Sequence, residues 1–212
     1  VGIQEVSSGG KGDDFNRKVG STQFSNGQAV TAANFKAAFD RNADPKMQSP
    51  SLPFFSDVVG SGSSPVSGVT VKGSHLIIKL THAAPDFLAR MAMPFFCAIP
   101  TNLAHDPNGV LAPASAGPYF ISDRVPNKSN TINKNPNYRG KRPHNVNSIV
   151  YTIVNSLDAT YLRTQRGPTD YAAGGFPPAS SEEAQPSYGL NKAQSSGNPD
   201  TGASARAAAA AH

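Results

Sequence analysis

The chain has 212 residues, of which 38% are hydrophobic and 16% charged, with a formal net charge of +5 and a pI near 9.4. That length suits one ordinary domain or two small ones with a real core, and 19 glycines with 18 prolines favour a loop-rich α/β or mainly β domain over a helical bundle. No run approaches the roughly 18 apolar residues that span a membrane, and the lone cysteine, Cys97, excludes an intrachain disulfide and leaves a thiolate metal site without partners.

In chain order, Val1 to Asp14 carries glycine, serine and charge with little period. It reads as a poorly fixed lead-in segment, with order beginning near Phe15. No charged-then-apolar leader stands at Val1, so an export signal has been removed or was never included. Phe24-Ser25-Asn26-Gly27 is a turn, because Asn-Gly supplies the positive φ of a tight reversal. Val30 to Phe39 is a helix: Thr31 is placed to cap its backbone amides, and Phe35, Ala38 and Phe39 share one face. Leu52 to Val59 leads into Gly60-Ser61-Gly62-Ser63-Ser64-Pro65, which is loop. This glycine run lacks the G-K-[ST] ending and the strand-to-helix frame of a phosphate loop.

Val69 to Thr81 is a hairpin with a central glycine turn and with Leu76, Ile78 and Leu80 alternating. Asp86 to Met93 opens after Pro85 and is expected to be a short helix, and Pro94 to Pro100 a buried strand. Gly117-Pro118 turns the chain before Tyr119-Phe120-Ile121, and Asn135-Pro136-Asn137-Tyr138 ends the next extended piece, which makes a hairpin-like unit closed by Asx-type turns. Ser148 to Val154 is a strand by composition, Asp158 to Arg166 a helix ended by Gly167, and Asp170-Tyr171 a following strand. From 195 to 212 the aromatic and aliphatic residues of a folded segment are lost, and five consecutive alanines precede His212.

Candidate chemistry is sparse. His75, His82, His105, His144 and His212 show neither H-E-x-x-H spacing nor paired carboxylates, so no metal site and no metal-assisted hydrolysis is expected. No G-x-S-x-G elbow exists, and Ser115 fits turn chemistry better than a nucleophile. Glu182 and Glu183 are adjacent, so on a helix they point in different directions and make a solvated face. No catalytic residue and no cofactor is assigned. Lys134, Arg139, Lys141 and Arg142 concentrate positive charge. Beside Asn, Pro and Gly they read as a solvated loop, the alternative being a polyanion- or nucleic-acid-binding module centred on residues 134–142.

Several motifs recur here in one order. Phe24 to Phe35 fits F-x-[DN]-G-x-x-[VF]-T-A-x-[DN]-[VF]; Gly117-Pro118-Tyr119 and Asn135-Pro136-Asn137-Tyr138 fit G-P-Y and N-P-x-Y; Gly167 to Ala173 fits G-x-x-D-Y-A-A, with Pro168 where a carboxylate is usual. In this the chain resembles the family 5 solute-binding proteins of the peptide, nickel and oligopeptide class, which serve ABC importers. The resemblance runs from about Lys18 to Gln194. It implies an α/β fold: the mixed-sheet first lobe of a two-lobed, type II, cluster C periplasmic-binding-protein architecture, with most of the second lobe absent. First-lobe residues are expected over 15–147, the crossover and the start of the second lobe over 148–194, and an uncertain tail over 195–212. It further implies non-catalytic capture of a small peptide or similar solute by lobe closure, delivery to an ABC importer permease, an extracytoplasmic bacterial location compatible with a lipid anchor, and no nucleic-acid partner. By the same resemblance Phe54, Phe55, Phe96 and Cys97 are the expected ligand-lining residues, weighed against a role of the phenylalanines as core filling.

Overall fold

The computed structural model describes residues 3–8, 14–173 and 177–180. Glu182, Glu183, His212 and the tail from 195 lie outside them. The chain divides into two compact units, Val1–Tyr151 and Thr152–His212.

In the first unit, strands β1 (Ile3–Ser8), β2 (Asp14–Val19), β3 (Val69–Lys72) and β4 (His75–Lys79) form an antiparallel sheet in the order β1-β2-β4-β3. The lead-in expected to be poorly fixed thus contains β1. An edge strand is recruited through its backbone groups, which need no side-chain period, and so the weak pattern of this stretch hid it. The hairpin of β3 and β4 turns at Gly73, whose φ is 56°, and Leu76, Ile78 and Leu80 are buried as their alternation demands.

Helix α1 (Ala32–Ala43) buries Ala32, Phe35, Ala38, Phe39 and Ala43, a stripe at helical spacing. Thr31 stands at the N-cap as expected, in a capping box with Asn34, whose Oδ1 accepts from the Thr31 amide at 2.8 Å and from the Thr31 hydroxyl at 2.9 Å. Under the helix, Phe39, Phe55 and Phe96 meet with centroids 5.1 to 5.7 Å apart, two of the three pairs edge to face. Each such ring contributes about 1.5–3 kcal/mol by burial.

The segment expected as a buried strand is instead a 3-10 turn, Pro94–Phe96, closed by the Cys97 amide on the Pro94 carbonyl at 3.2 Å. Proline suits the first position of such a turn and has no amide to give a ladder. Helix α2 is a single turn, Phe87–Arg90. Gly68 is required where its strand entrance crosses another segment, since a Cβ there would stand 2.5 Å from the Val59 carbonyl oxygen.

Strands β5 (Tyr119–Val125), β6 (Ser129–Lys134) and β7 (Ser148–Thr152) make a second sheet in that order. β5 and β6 are an antiparallel hairpin whose turn places Asn127 at φ 58°.

In the second unit, α3 (Leu157–Gln165) begins on Ser156, whose Oγ accepts from the Ala159 amide at 3.4 Å, and ends before Gly167 at φ 87°. Tyr161 and Ala172 are buried. Asp170 and Tyr171 are not strand but irregular chain. Two residues after a glycine-terminated helix make no ladder unless another strand lies alongside, which a local pattern does not report.

Candidate functional site

The turns that frame a groove of the first unit are positioned by asparagines. The hairpin turn after Phe24 closes through Gly27, at φ 84°, with its amide on the Phe24 carbonyl at 2.9 Å. The Ser25 amide donates to the Ser115 carbonyl at 2.8 Å, and the Ser115 amide donates back to Ser25 Oγ at 3.3 Å. Asn135, only 1% exposed, donates from Nδ2 to the carbonyls of Ser115 and Gly117 at 3.1 and 2.8 Å, while its Oδ1 accepts from the Asn137 amide at 2.9 Å. Asn137 in turn donates to the carbonyls of Phe24 and Ser25, both at 3.1 Å. Asn-Pro-Asn-Tyr is therefore a latch: an Asx turn whose amides tie β6, the Gly-Pro approach to β5 and the Asn-Gly turn together.

Helix α1 fixes the opposite wall. Asn34 Nδ2 donates to the Ile99 carbonyl at 2.9 Å, Asn42 to Phe95 at 2.7 Å, and Arg41 to the carbonyls of Ala104 and, at 3.3 Å, Asp106. The chain from 95 to 106 is strapped along the helix by side chains that satisfy its carbonyls.

Between these walls lies an open groove of about 680 Å³. The turn contributes Ser25, Asn26 and Gln28, the strapped loop Pro100, Asn102, Leu103 and Ala104, the following segment Val110 and Ala112 to Ala114, and β5 Phe120, Ile121 and Ser122. None of these lining residues is ionisable.

The residues expected from sequence to line a site stand elsewhere. Phe55 and Phe96 are buried in the core at 0% and 5% exposure. Phe54 is half-buried and stacked on Phe95 at 5.8 Å, its carbonyl held by Arg90 Nη1 at 3.1 Å. Cys97 is exposed. The structure gathers the three phenylalanines around one turn, and none of the four borders the groove. The groove residues carried no chemical signal of their own; what marked them was the turn motifs flanking them.

Charged groups are used for fastening. Arg90 pairs with Asp57 at 2.5 Å and with Asp86 at 3.2 Å. Asp40 accepts from Lys36 and from the Val66 amide, at 3.0 and 2.8 Å. His105 Nδ1 lies 2.6 Å from Asp44 Oδ2. That hydrogen bond, followed by one from the Lys46 amide, holds the Asp44 carboxyl below its ordinary range. Lys134, Arg139, Lys141 and Arg142 are exposed, and Arg139 bends back on the Pro136 and Tyr138 carbonyls at 2.7 and 3.1 Å. Among the described residues no three His, Cys, Asp or Glu side chains converge as metal ligands, and no helix is long and apolar enough to cross a membrane.

Residues 21–204 match the family model described as bacterial extracellular solute-binding proteins, family 5 Middle. The nickel-binding protein NikA of Staphylococcus aureus is 29% identical over 121 residues, which cover 57% of this chain and 22% of that protein. The probable deoxycholate-binding periplasmic protein YgiS of Escherichia coli is 26% identical over 180 residues, covering 78% of this chain and 34% of that one. Among solved structures, the murein tripeptide binding protein MppA of Escherichia coli superposes with a TM-score of 0.71 at 20% identity, covering 87% of this chain and 38% of its own. The fold is thus that of the type II solute-binding proteins, and the chain spans about a fifth to a third of the length of the curated relatives it matches.

Proposed function

We propose that this chain, which belongs to the bacterial extracellular solute-binding proteins of family 5, supplies first-lobe structure and the start of the second lobe to a receptor that captures a peptide-like solute outside the cytoplasm and hands it to an ABC importer permease. The observation that carries this reading is the family match over residues 21–204, joined to a fold shared over 87% of the chain with a tripeptide-binding receptor.

The task asks for no bond making. A two-lobed receptor works by closing over its ligand, and the lobes must be rigid so that closure is a hinge motion rather than a deformation. The straps from α1 to residues 95–106 and the asparagine latch supply that rigidity on this side. Of the residues expected to meet the solute, Phe54 and Cys97 keep accessible surface, while Phe55 and Phe96 act from behind by fixing the turn that presents them. The relatives bear names for nickel, deoxycholate and murein tripeptide, so the family alone leaves the solute open. A peptide-like ligand suits a surface whose accessible features are stacked aromatics and neutral amides.

Deleting the gene in its host and following uptake of labelled tripeptides to pentapeptides, nickel and bile salt tests this. Loss of peptide uptake, restored by the gene, is the expected result. Unchanged uptake of all solutes overturns the importer role, and selective loss of nickel or bile salt overturns the peptide assignment.

A further inference from the structure

We infer that Asn26-Gly27 is a latent modification site, where the chain deamidates by its own chemistry once Asn137 releases the turn, and that the product does not latch again. Every group involved belongs to the first unit, so nothing in this rests on solute capture or lobe closure. The reaction needs only water. The glycine amide nitrogen, after giving its proton to solvent, attacks Cγ of the asparagine. The new N–Cγ bond closes a succinimide ring while the Cγ–Nδ2 bond breaks, and ammonia leaves with a proton taken from water. Water then opens the ring, giving aspartate or, where the main chain is rerouted through Cγ, isoaspartate; nothing is oxidised or reduced. A glycine in second place lacks the Cβ that crowds ring closure, and the chain has two such pairs, Asn26-Gly27 and Asn108-Gly109.

At Asn26-Gly27 the fold holds both reacting groups back. The nucleophile is engaged, because the Gly27 amide donates to the Phe24 carbonyl at 2.9 Å. So is the electrophile: Asn26 Oδ1 accepts from the Gln28 amide at 3.1 Å, and its Nδ2 donates to Gln28 Oε1 at 3.0 Å. Ring closure requires the first bond to break and the carboxamide to swing from Gln28 onto the Gly27 nitrogen. The turn is kept from that movement by a distant side chain. Asn137 Nδ2 donates to the same Phe24 carbonyl and to the Ser25 carbonyl, both at 3.1 Å, while the Ser25 amide is held by the Ser115 carbonyl at 2.8 Å. Where a local opening closes again faster than it reacts, the observed rate follows the open population. Residue 137 therefore sets the reactivity of residue 26.

The second pair is an internal reference, built on the same plan from other parts. The Gly109 amide donates to the Asp106 carbonyl at 3.1 Å, Asn108 Nδ2 donates to Asp106 Oδ1 at 3.2 Å, and the distant fastening is Arg41, whose Nη2 reaches the same Asp106 carbonyl at 3.3 Å. Asn137 has no part in it, so the two sites answer to different side chains. The consequences at residue 26 are chemical and geometric. Asn26 borders a groove whose lining holds no ionisable residue, and either product places a carboxylate there. Isoaspartate also lengthens the main chain by one carbon inside a turn closed by the Gly27–Phe24 bond and latched by Asn137. A four-residue turn has no slack to absorb that atom, so the tie between this turn and the Asn135-Asn137 latch, once lost, stays lost.

The test is incubation of the 212-residue chain at mildly alkaline pH, with aspartate and isoaspartate at each pair followed by peptide mapping. In urea both pairs react at their unrestrained rate. In the folded chain Asn26 is expected to react far more slowly, and Asn137→Ala to quicken it about tenfold, the weight of the lost hydrogen bonds, while Asn108 keeps its rate. Arg41→Ala should do the reverse. An Asn26 rate in the folded chain equal to that in urea overturns the protection, and an Asn26 rate unmoved by Asn137→Ala overturns the gate. Equal acceleration of both pairs in Asn137→Ala means that the whole fold was lost, and Gln28→Ala then decides. It frees only the Asn26 carboxamide, and an Asn26 rate that it leaves unchanged overturns the proposal. The isolated isoaspartyl product should show faster hydrogen exchange at the Ser25 and Gly27 amides; exchange as slow as in the unmodified chain overturns the one-way release.

Discussion

The two sheets of the first unit are stabilised in opposite ways. The sheet of β1 to β4 buries Val69, Leu76 and Ile78 beneath α1 and an aromatic cluster, and its stability is a matter of apolar area. The sheet of β5 to β7 leaves Val125 41%, Val150 64% and Tyr151 48% exposed, and is fastened to the rest of the unit by amides of Asn135 and Asn137. Apolar packing resists unfolding in bulk, whereas a polar latch fixes one geometry and fails at one residue. The first region is a body; the second is a presented surface, and the groove lies where they meet.

The largest test of that contrast is Phe39→Ala. It removes the ring shared by the Phe55 and Phe96 contacts, and about 3–5 kcal/mol of stability should go with it. Urea unfolding measures the loss. A cost below about 1 kcal/mol would mean that the aromatic cluster does not carry the body.

Asn135→Ala sharpens the contrast with a smaller effect. It orphans the Gly117 carbonyl and the Asn137 amide and takes from the Ser115 carbonyl one of its two donors, at about 1–3 kcal/mol. The distribution matters more than the size. Hydrogen exchange should quicken in β5, β6 and the turn at Asn26-Gly27 while α1 keeps its protection. Uniform acceleration over both sheets would show that latch and body are one cooperative unit, and would remove the distinction drawn above.

What the sequence disclosed follows the same division. Local signals were enough for α1, for the hairpin of β3 and β4, and for the turns at Gly27 and Asn135, because helical period, alternation and turn chemistry act over a few residues. β1 leaves no local pattern because its pairing is a backbone matter, and Pro94 to Pro100 has the hydrophobic content of a strand but prolines that give no amide to a ladder. The groove was invisible for a different reason. It is made by neutral residues from four places in the chain, from Ser25 to Ser122, and juxtaposition of ordinary residues leaves no pattern in any one of them. The aromatic candidates were conspicuous as residues, and the fold used two of them, Phe55 and Phe96, as core.

The smallest effect expected belongs to His105 and Asp44, which join the strapped loop to the end of α1. Because the hydrogen bond from His105 holds the Asp44 carboxyl below its ordinary value, the carboxylate is favoured more in the folded chain than in the unfolded one. Its contribution is therefore complete above the unfolded carboxylate pKa, about 3.9, and is lost as pH falls through the lower folded value. His105→Gln should bring the Asp44 titration, followed by its carboxyl carbon resonance, up toward that ordinary value. Both side chains reach solvent, so salt screens the pair and the stability change near neutral pH should be small. A titration of Asp44 unmoved by the substitution would assign its low value to the Lys46 amide alone, and would leave Arg41 as the side chain that fastens this part of the groove wall to the helix.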